Sequence, residues 1–473
     1  MIRSQKVSLV AAVALSASAL LAGSGGGVFA QSPAPSAVAG LPTTPTGLTE
    51  LDKALGADQP YAGKSVDIQT QWTGGEGANF QTALAAFQKA TGITVTVEEI
   101  GKSHETILRT RIEGGDPTLD LAVLAQPSGV VAYGKEGKLI DVSTFIDPAV
   151  LKANYPATLD LVSDGGKVWG LPYKLDVKSV VWYPIKAFAA AGYTVPTTWQ
   201  EMLDLSAKIV ADGKGNPWCI GMEAGTATGW QATDWVEEVM LRTVGLDKYN
   251  QWIAGTLKFD SPEVKAAMAE VAKIFFTKDF VYGGNTAIVA TDQKTTMDPM
   301  FNQDLAAPKC WMQQIPTWYG PDFFPDQRAS GQPSKYIVGE DVGLFYLPPI
   351  DPKLGNPVEG SGDTLMVLQD RPEVRAVAEF LSTPAGIQTW IQAGSAISAN
   401  VNTPADWYKD HYKLQVAADI VKNATAFGFD ASDLMPPAVG GGTFWTEMVK
   451  WIQDNGANTE DRLKAIDASW PAK

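Results

Sequence analysis

Asp234 and Glu237 stand three residues apart, a spacing that puts two carboxylates on one face of a helix. A carboxylate pair is the machinery of glycoside hydrolysis, so an exported glycoside hydrolase is the alternative to weigh. Hydrolases, however, usually project their two carboxylates from separate elements, across the bond they cut. The pair therefore reads as ligand hydrogen bonding or solvation rather than catalysis. Histidine occurs only as His104 and His411, without ligand-spaced partners, which leaves neither a zinc site nor a Ser-His-Asp triad and reads as two surface side chains. Gly101-Lys102-Ser103 resembles the end of a phosphate-binding loop, but that loop needs a glycine five residues earlier and Thr96 stands there. Gly74-Gly75-Glu76-Gly77 lacks dinucleotide spacing and reads as a tight turn that brings backbone N–H groups to a ligand. No metal or cofactor is expected.

Aromatic residues carry the remaining signal. Tryptophan is used 15 times, and many copies sit beside polar residues at breaks in the pattern. Carbohydrates need that mixture, because a ring face covers the C–H side of a pyranose while carboxylates, amides and lysine fix its hydroxyls.

The elements that would position these groups alternate between strand and helix. Val66, Ile68, Thr70 and Trp72 have strand periodicity; Asn79 then suits a helix cap, with Phe80, Leu84 and Phe87 on one face and Thr91-Gly92 as the stop. The run from Leu119 to Leu124 reads as a strand covered on both faces, ending at the breaker Gln126-Pro127-Ser128-Gly129. Ligands sit at such strand ends in open α/β sheets. Val180 to Tyr183 repeats the buried-strand pattern, and Thr198 with Glu201 has capping-box spacing. This order predicts two α/β lobes.

The first thirty residues have the layout of an export signal: Arg3 and Lys6, an apolar run from Val7 to Leu21, and Val28-Phe29-Ala30 for cleavage. Leu20-Leu21-Ala22-Gly23-Ser24 has the form of a lipoprotein box with serine in place of the acylated cysteine, so anchored and free forms both stay open. Residues 31–63, rich in Ala, Pro, Ser, Thr and Gly, read as a flexible spacer. The 37 Lys+Arg against 52 Asp+Glu give a formal charge of −15, which disfavours nucleic acid and anionic lipid as partners. The only cysteines, Cys219 and Cys310, are expected to form a disulfide outside the cytoplasm.

Val181-Trp182-Tyr183 followed by Phe188, Gly192 and Pro196-x-Thr198-Trp199-x-Glu201 resembles the extracellular solute-binding proteins of family 1. Three blocks resemble its α-glucoside-binding group more closely: Pro217-Trp218-Cys219-Ile220-Gly221, Thr228-Gly229-Trp230-x-x-Thr233-Asp234-Trp235-x-Glu237, and Phe429-Asp430-Ala431-Ser432-Asp433 continuing to Phe444-Trp445. The resemblance implies a type II periplasmic-binding-protein fold, two α/β lobes joined by a hinge with the ligand cleft between them. Lobe one would take residues 64–172 and 353–400, and lobe two 173–352 and 401–473, which places both cysteines in lobe two.

Carried over by position, Trp230 and Trp445 would stack on sugar rings, while Glu76, Gln126, Lys174, Asp234 and Asp363 bond hydroxyls, with Trp72 at the first strand end. Gln314 lies in Met312-Gln313-Gln314-Ile315, where relatives tend to carry a His-basic-Gln triplet, so it would bear on sugar preference. The implied function is an exported, monomeric receptor, periplasmic or at the outer cell surface, that hands an α-glucoside to the permease subunits of an ABC importer.

Overall fold

The computed structural model describes residues 40–301, 307–320 and 336–471. The expected export signal, the Ser24 box and the first part of the expected spacer lie outside the described residues. The second part, residues 40–63, is a correction: it contains helix α1 (Thr49–Leu55), docked in the core. Leu48, Leu51 and Ala54 recur every three residues and bury a stripe on one side of the turn. The Leu51 N–H donates to Glu379 Oε2 at 2.7 Å, which ties the segment to the body of the protein. An average over composition hid that short apolar stripe among prolines, threonines and glycines.

Strand β1 (Ser65–Thr70), helix α2 (Gly75–Thr91) and strand β2 (Thr94–Glu99) follow. The helix is capped at Gly74, five residues before the expected Asn79, and has Glu76 in its first turn. It stops as expected, because Gly92 takes the left-handed conformation (φ 70°) that closes the C-terminus. Strand β3 (Leu121–Leu124), buried at every position, leads into helix α3 (Pro127–Lys135), with Gln126 in the N-cap position. Strand β4 (Leu171–Val177) and strand β5 (Val180–Pro184) come next, then helix α4 (Trp199–Ala211), whose Thr198–Glu201 capping box is present.

The second half adds strand β6 (Asn216–Trp218), the long helix α5 (Trp230–Ile253), strands β7 (Cys310–Gln314), β8 (Val342–Tyr346) and β9 (Pro357–Val367), and helix α6 (Pro372–Ser382). Strands β10 (Ile397–Ser398) and β11 (Ala426–Phe429), the single turn α7 (Ala431–Leu434) and helix α8 (Trp445–Gln453) complete the part that concerns the site.

Two principal sheets organise these elements. A seven-stranded sheet runs β10-β4-β9-β3-β1-β2, with β11 also paired to β9, and a four-stranded sheet runs β8-β5-β7-β6. Strands β4 and β9 pair antiparallel over most of their length, and β9 continues from partners in the first half of the chain (Leu121–Leu124) to partners near its end (Ala426–Phe429). They are the crossing strands of a two-lobed α/β fold. One apolar core surrounds the large sheet and a second surrounds the small sheet and α5. Cys219 and Cys310 form the expected disulfide in a third cluster beside the small sheet, with Cα atoms 5.3 Å apart.

His104 corrects another expectation. It is buried, not a surface residue, with Nε2 2.7 Å from the Val123 carbonyl oxygen, and burial pushes its pKa down to about 4. His411 is half-buried.

Candidate functional site

Alternation along β4 sends Lys174, Asp176 and, just beyond its end, Lys178 to one face, since side chains of a strand repeat with period two. On its neighbour β9, Glu359, Ser361 and Asp363 share a face in the same way, with Asp363 paired to Lys174 and Ser361 to Asp176. The crossing strands thus carry a charged ladder from one lobe to the other.

At the lobe-one end, the Lys174 ammonium lies 3.1 Å from Asp176, 3.4 Å from Glu76 and 3.6 Å from Asp363, with all four side chains buried. Burial alone would pull the lysine pKa down, but these carboxylates outweigh it and hold it above its ordinary value. Burial pushes Glu76 and Asp363 up, partly offset by Lys174. Asp363 also accepts from Gln71 Nε2 at 2.7 Å and from the Trp72 indole N–H at 3.2 Å. The Trp72 ring itself is sealed into the lobe-one core, edge-on to Phe80 and Trp390 at 4.9 Å each. Only its N–H reaches the ladder.

At the lobe-two end, Lys178 Nζ lies 2.7 Å from Asp234, contacts Asp430, and sits 5.2 Å from the centre of the Trp230 ring. Trp230 is half-buried and donates its indole N–H to Gln293 at 2.6 Å. Asp234 is buried on α5, and burial lifts its pKa to about 7 against the pull of Lys178. Its Oδ2 has no hydrogen-bond partner among the described residues, nor has the buried indole N–H of Trp445.

Trp445 opens α8 after an irregular turn over Val439–Phe444. Its backbone meets the start of α5 at Gly229, where φ is 115° and an added Cβ would lie 2.5 Å from the Trp445 carbonyl oxygen. Only glycine fits there, and the close approach brings the two tryptophan-bearing helix starts together.

Gln314 is buried at the end of β7 and donates to the Lys178 carbonyl at 3.0 Å, so it braces the hinge backbone. Gln126 stands at the N-cap of α3, which packs on α7, the turn that carries Asp433. Further contacts join the lobes: Lys102 with Asp292 at 2.9 Å and with Glu223, and Lys294 with Thr73 at 2.8 Å. The lobes are in contact, with the ladder enclosed between them.

Sequence reasoning missed Asp176, Lys178, Asp430 and Asp433 as members of this arrangement. The signal was present as Lys174-x-Asp176-x-Lys178, a charged alternation inside an otherwise apolar strand. The carboxylates first considered for catalysis are both engaged, Asp234 with Lys178 and Glu237 as acceptor of the Ala431 N–H at 2.6 Å. Oxygens of Asp234, Glu359 and Asp430 approach within 4.8 Å of one another, and the Lys178 ammonium already supplies a positive charge to Asp234 and Asp430.

The model of the bacterial extracellular solute-binding protein family matches residues 71–388. The chain belongs to that family. As a solute-binding protein it is a receptor and not an enzyme, and its family places it outside the cytoplasm. It is 35% identical to the alpha-glucosides-binding periplasmic protein AglE of Rhizobium meliloti over 86% of this chain and 87% of that one. It is 34% identical to the osmoprotective compounds-binding protein GgtB of Synechocystis over 86% and 93%. Among solved structures, a protein from a study of xylan utilisation by Caldanaerobius polysaccharolyticus superposes with TM-score 0.72 at 16% identity, covering 85% of this chain and 99% of that one. The bacterial solute receptor AcbH, described as preferring β-D-galactopyranose, gives 0.70 at 14%, covering 86% and 98%. These likenesses establish the two-lobed fold. Among the described residues no helix is long and apolar enough to cross a membrane.

Proposed function

We propose that this protein is the sugar receptor of an ABC importer and that its solute is an α-glucoside of two or more rings. The observation that carries the reading lies at the lobe-two end of the ladder: Asp234 Oδ2, on the carboxylate that holds Lys178, and the indole N–H of Trp445, whose backbone abuts the start of α5 at Gly229, are buried polar atoms without partners among the described residues. Buried polar atoms in native proteins find partners, and the hydroxyls of a carbohydrate offer both donors and acceptors. Trp230 and Trp445 stack on its rings, while Asp234, Gln126, Glu76, Lys174 and Asp363 bond hydroxyls from the two sides and the floor. Gln314 acts one step away, through the Lys178 backbone. The α-glucoside assignment rests on the name of the Rhizobium relative, which is similar over nearly its whole length.

The process involves no bond-making. An open form takes the solute on one lobe, hinge movement along β4 and β9 brings the other lobe down, and the closed monomer docks on its permease. Closure is driven by contacts made only in the closed state, and the packing of α7 on α3 is such a contact. Lobe one corresponds to residues 64–172 and 353–400 with the N-terminal α1 segment added, and lobe two to 173–352 and 401–473.

Calorimetric titration with maltose, trehalose, sucrose, glucose and galactose tests the reading. Saturable binding of an α-linked disaccharide, recovered intact, is expected; heat only with galactose removes the α-glucoside assignment, and cleavage of any disaccharide restores the hydrolase alternative.

A further inference from the structure

Six carboxylates surround the lobe-two lysine: Asp234, Glu237 and Glu238 on α5, Glu359 on β9, and Asp430 and Asp433 at the start of α7. None is more than 5% exposed. Among the described residues two buried cations face them, Lys178 and Arg242. Arg242 is committed to Glu238, and Lys178 to Asp234 and Asp430. With all six ionised, four negative charges would stand uncompensated in a dry interior, where each costs several kcal/mol.

The neighbouring groups do not close that gap. Ser179 donates to Glu238, Ser432 and the Asp433 N–H both donate to Asp430, and Tyr249 donates to the backbone of Phe429. On the lobe-one side, Gln126 opposes the effect of burial on Asp433 without outweighing it. Glu359 lies fully buried with both side-chain oxygens unpartnered, one of them within 4.8 Å of Asp234 and Asp430 oxygens. A carboxyl group in that position is stable only as the acid. Burial pushes Glu237, Glu359 and Asp433 well above the ordinary carboxylate range, and Glu237 Oε1, like the Glu359 oxygens, has no hydrogen-bond partner among the described residues.

These acids differ in how they meet the cleft. Glu237 and Glu359 are walled in by α5 and the crossing strands, so they hold their protons whether or not the lobes touch. Asp433 faces lobe one, and α7 packs on α3 there. Opening wets Asp433 and returns it toward an ordinary carboxylate.

We infer that the proton is a second ligand of this protein: closing the lobes on a captured solute buries Asp433 and takes up about one proton. The inference rests on the receptor reading above. The sign follows from linkage, since a carboxyl group with a higher pKa in the closed form than in the open one makes closure bind a proton. Affinity is therefore greatest below the open-form value of about 4. It falls as pH rises, by up to about tenfold per unit, and levels off above the closed-form value, which burial holds well above the ordinary carboxylate range.

The test is titration of the whole protein at pH 6.5, in phosphate and in Tris, with whichever of maltose, trehalose and sucrose binds. The two buffers differ in ionisation heat, so the difference in binding heat counts protons. About one proton taken up, with Kd rising several-fold from pH 5.5 to 7.5, is expected; binding with buffer-independent heat overturns the inference and leaves the sugar reading intact. Asp433→Asn carries a neutral donor in place of the acid and is expected to lose most of the uptake, while full uptake in that variant also overturns the assignment. Should Asp433→Asn fail to fold, the buffer pair on the unaltered protein decides. Should no sugar bind, the sugar reading fails, and lobe closure followed by small-angle scattering from pH 8 to 5 decides instead: a smaller radius of gyration at low pH supports proton-linked closure and a constant one overturns it.

Discussion

Lys174 and Lys178 stand four residues apart on one face of the same hinge strand, each under an indole and each held by carboxylates, yet their surroundings differ. At the Lys174 end the carboxylates are satisfied from within, with only Gln71 Oε1 left without a partner among the described residues: Asp363 takes donors on both oxygens from Gln71 and Trp72, and Trp390, 5.5 Å from the ammonium, is fully buried in the lobe-one core. The Lys178 end keeps a free oxygen on Asp234, a half-buried Trp230 and an unpartnered Trp445 N–H. One recipe thus serves two purposes. We assign the first end chiefly to locking the hinge to lobe one, with its hydroxyl contacts secondary, and the second to gripping the solute.

The largest effect that would break this comparison is on folding. Lys174→Met strands Glu76, Asp176 and Asp363 in the interior, and breaking a buried set of this kind costs about 3–5 kcal/mol; urea denaturation measures it, and a loss under about 1 kcal/mol would mean the end is not a lock. A smaller effect separates the tryptophans. Trp445→Ala is expected to weaken sugar binding about 30-fold, the roughly 2 kcal/mol of an anchoring aromatic, whereas Trp72→Phe is expected to cost about 1–3 kcal/mol of stability and leave affinity nearly unchanged. Calorimetry and denaturation on both variants check the pair. Equal affinity losses would merge the two ends into one site.

Local signals were legible in sequence wherever neighbours along the chain decide the outcome. The Thr198–Glu201 box and the Gly92 stop depend on a few adjacent residues, and Leu121–Leu124 on burial of both strand faces. Helix α1 was missed because its Leu48-Leu51-Ala54 stripe is short and its stability comes from docking on α6, a partner more than three hundred residues away. His104 was missed for a related reason, since a single polar residue carries no periodicity that tells its burial. At the site, Trp230, Asp234 and Lys174 were found through motif or strand position. Lys178 and Asp433 were not, because what makes them members is the convergence of β4, β9, α5 and α7, which only the fold supplies.

The measurement that bears most directly on the account is a crystal structure of the protein with maltose. The account predicts the disaccharide between the lobes, hydrogen-bonded to Asp234 and lying against the ring of Trp230 or Trp445. A sugar bound away from the Lys178 end, with those indoles still packed against protein alone, would contradict it.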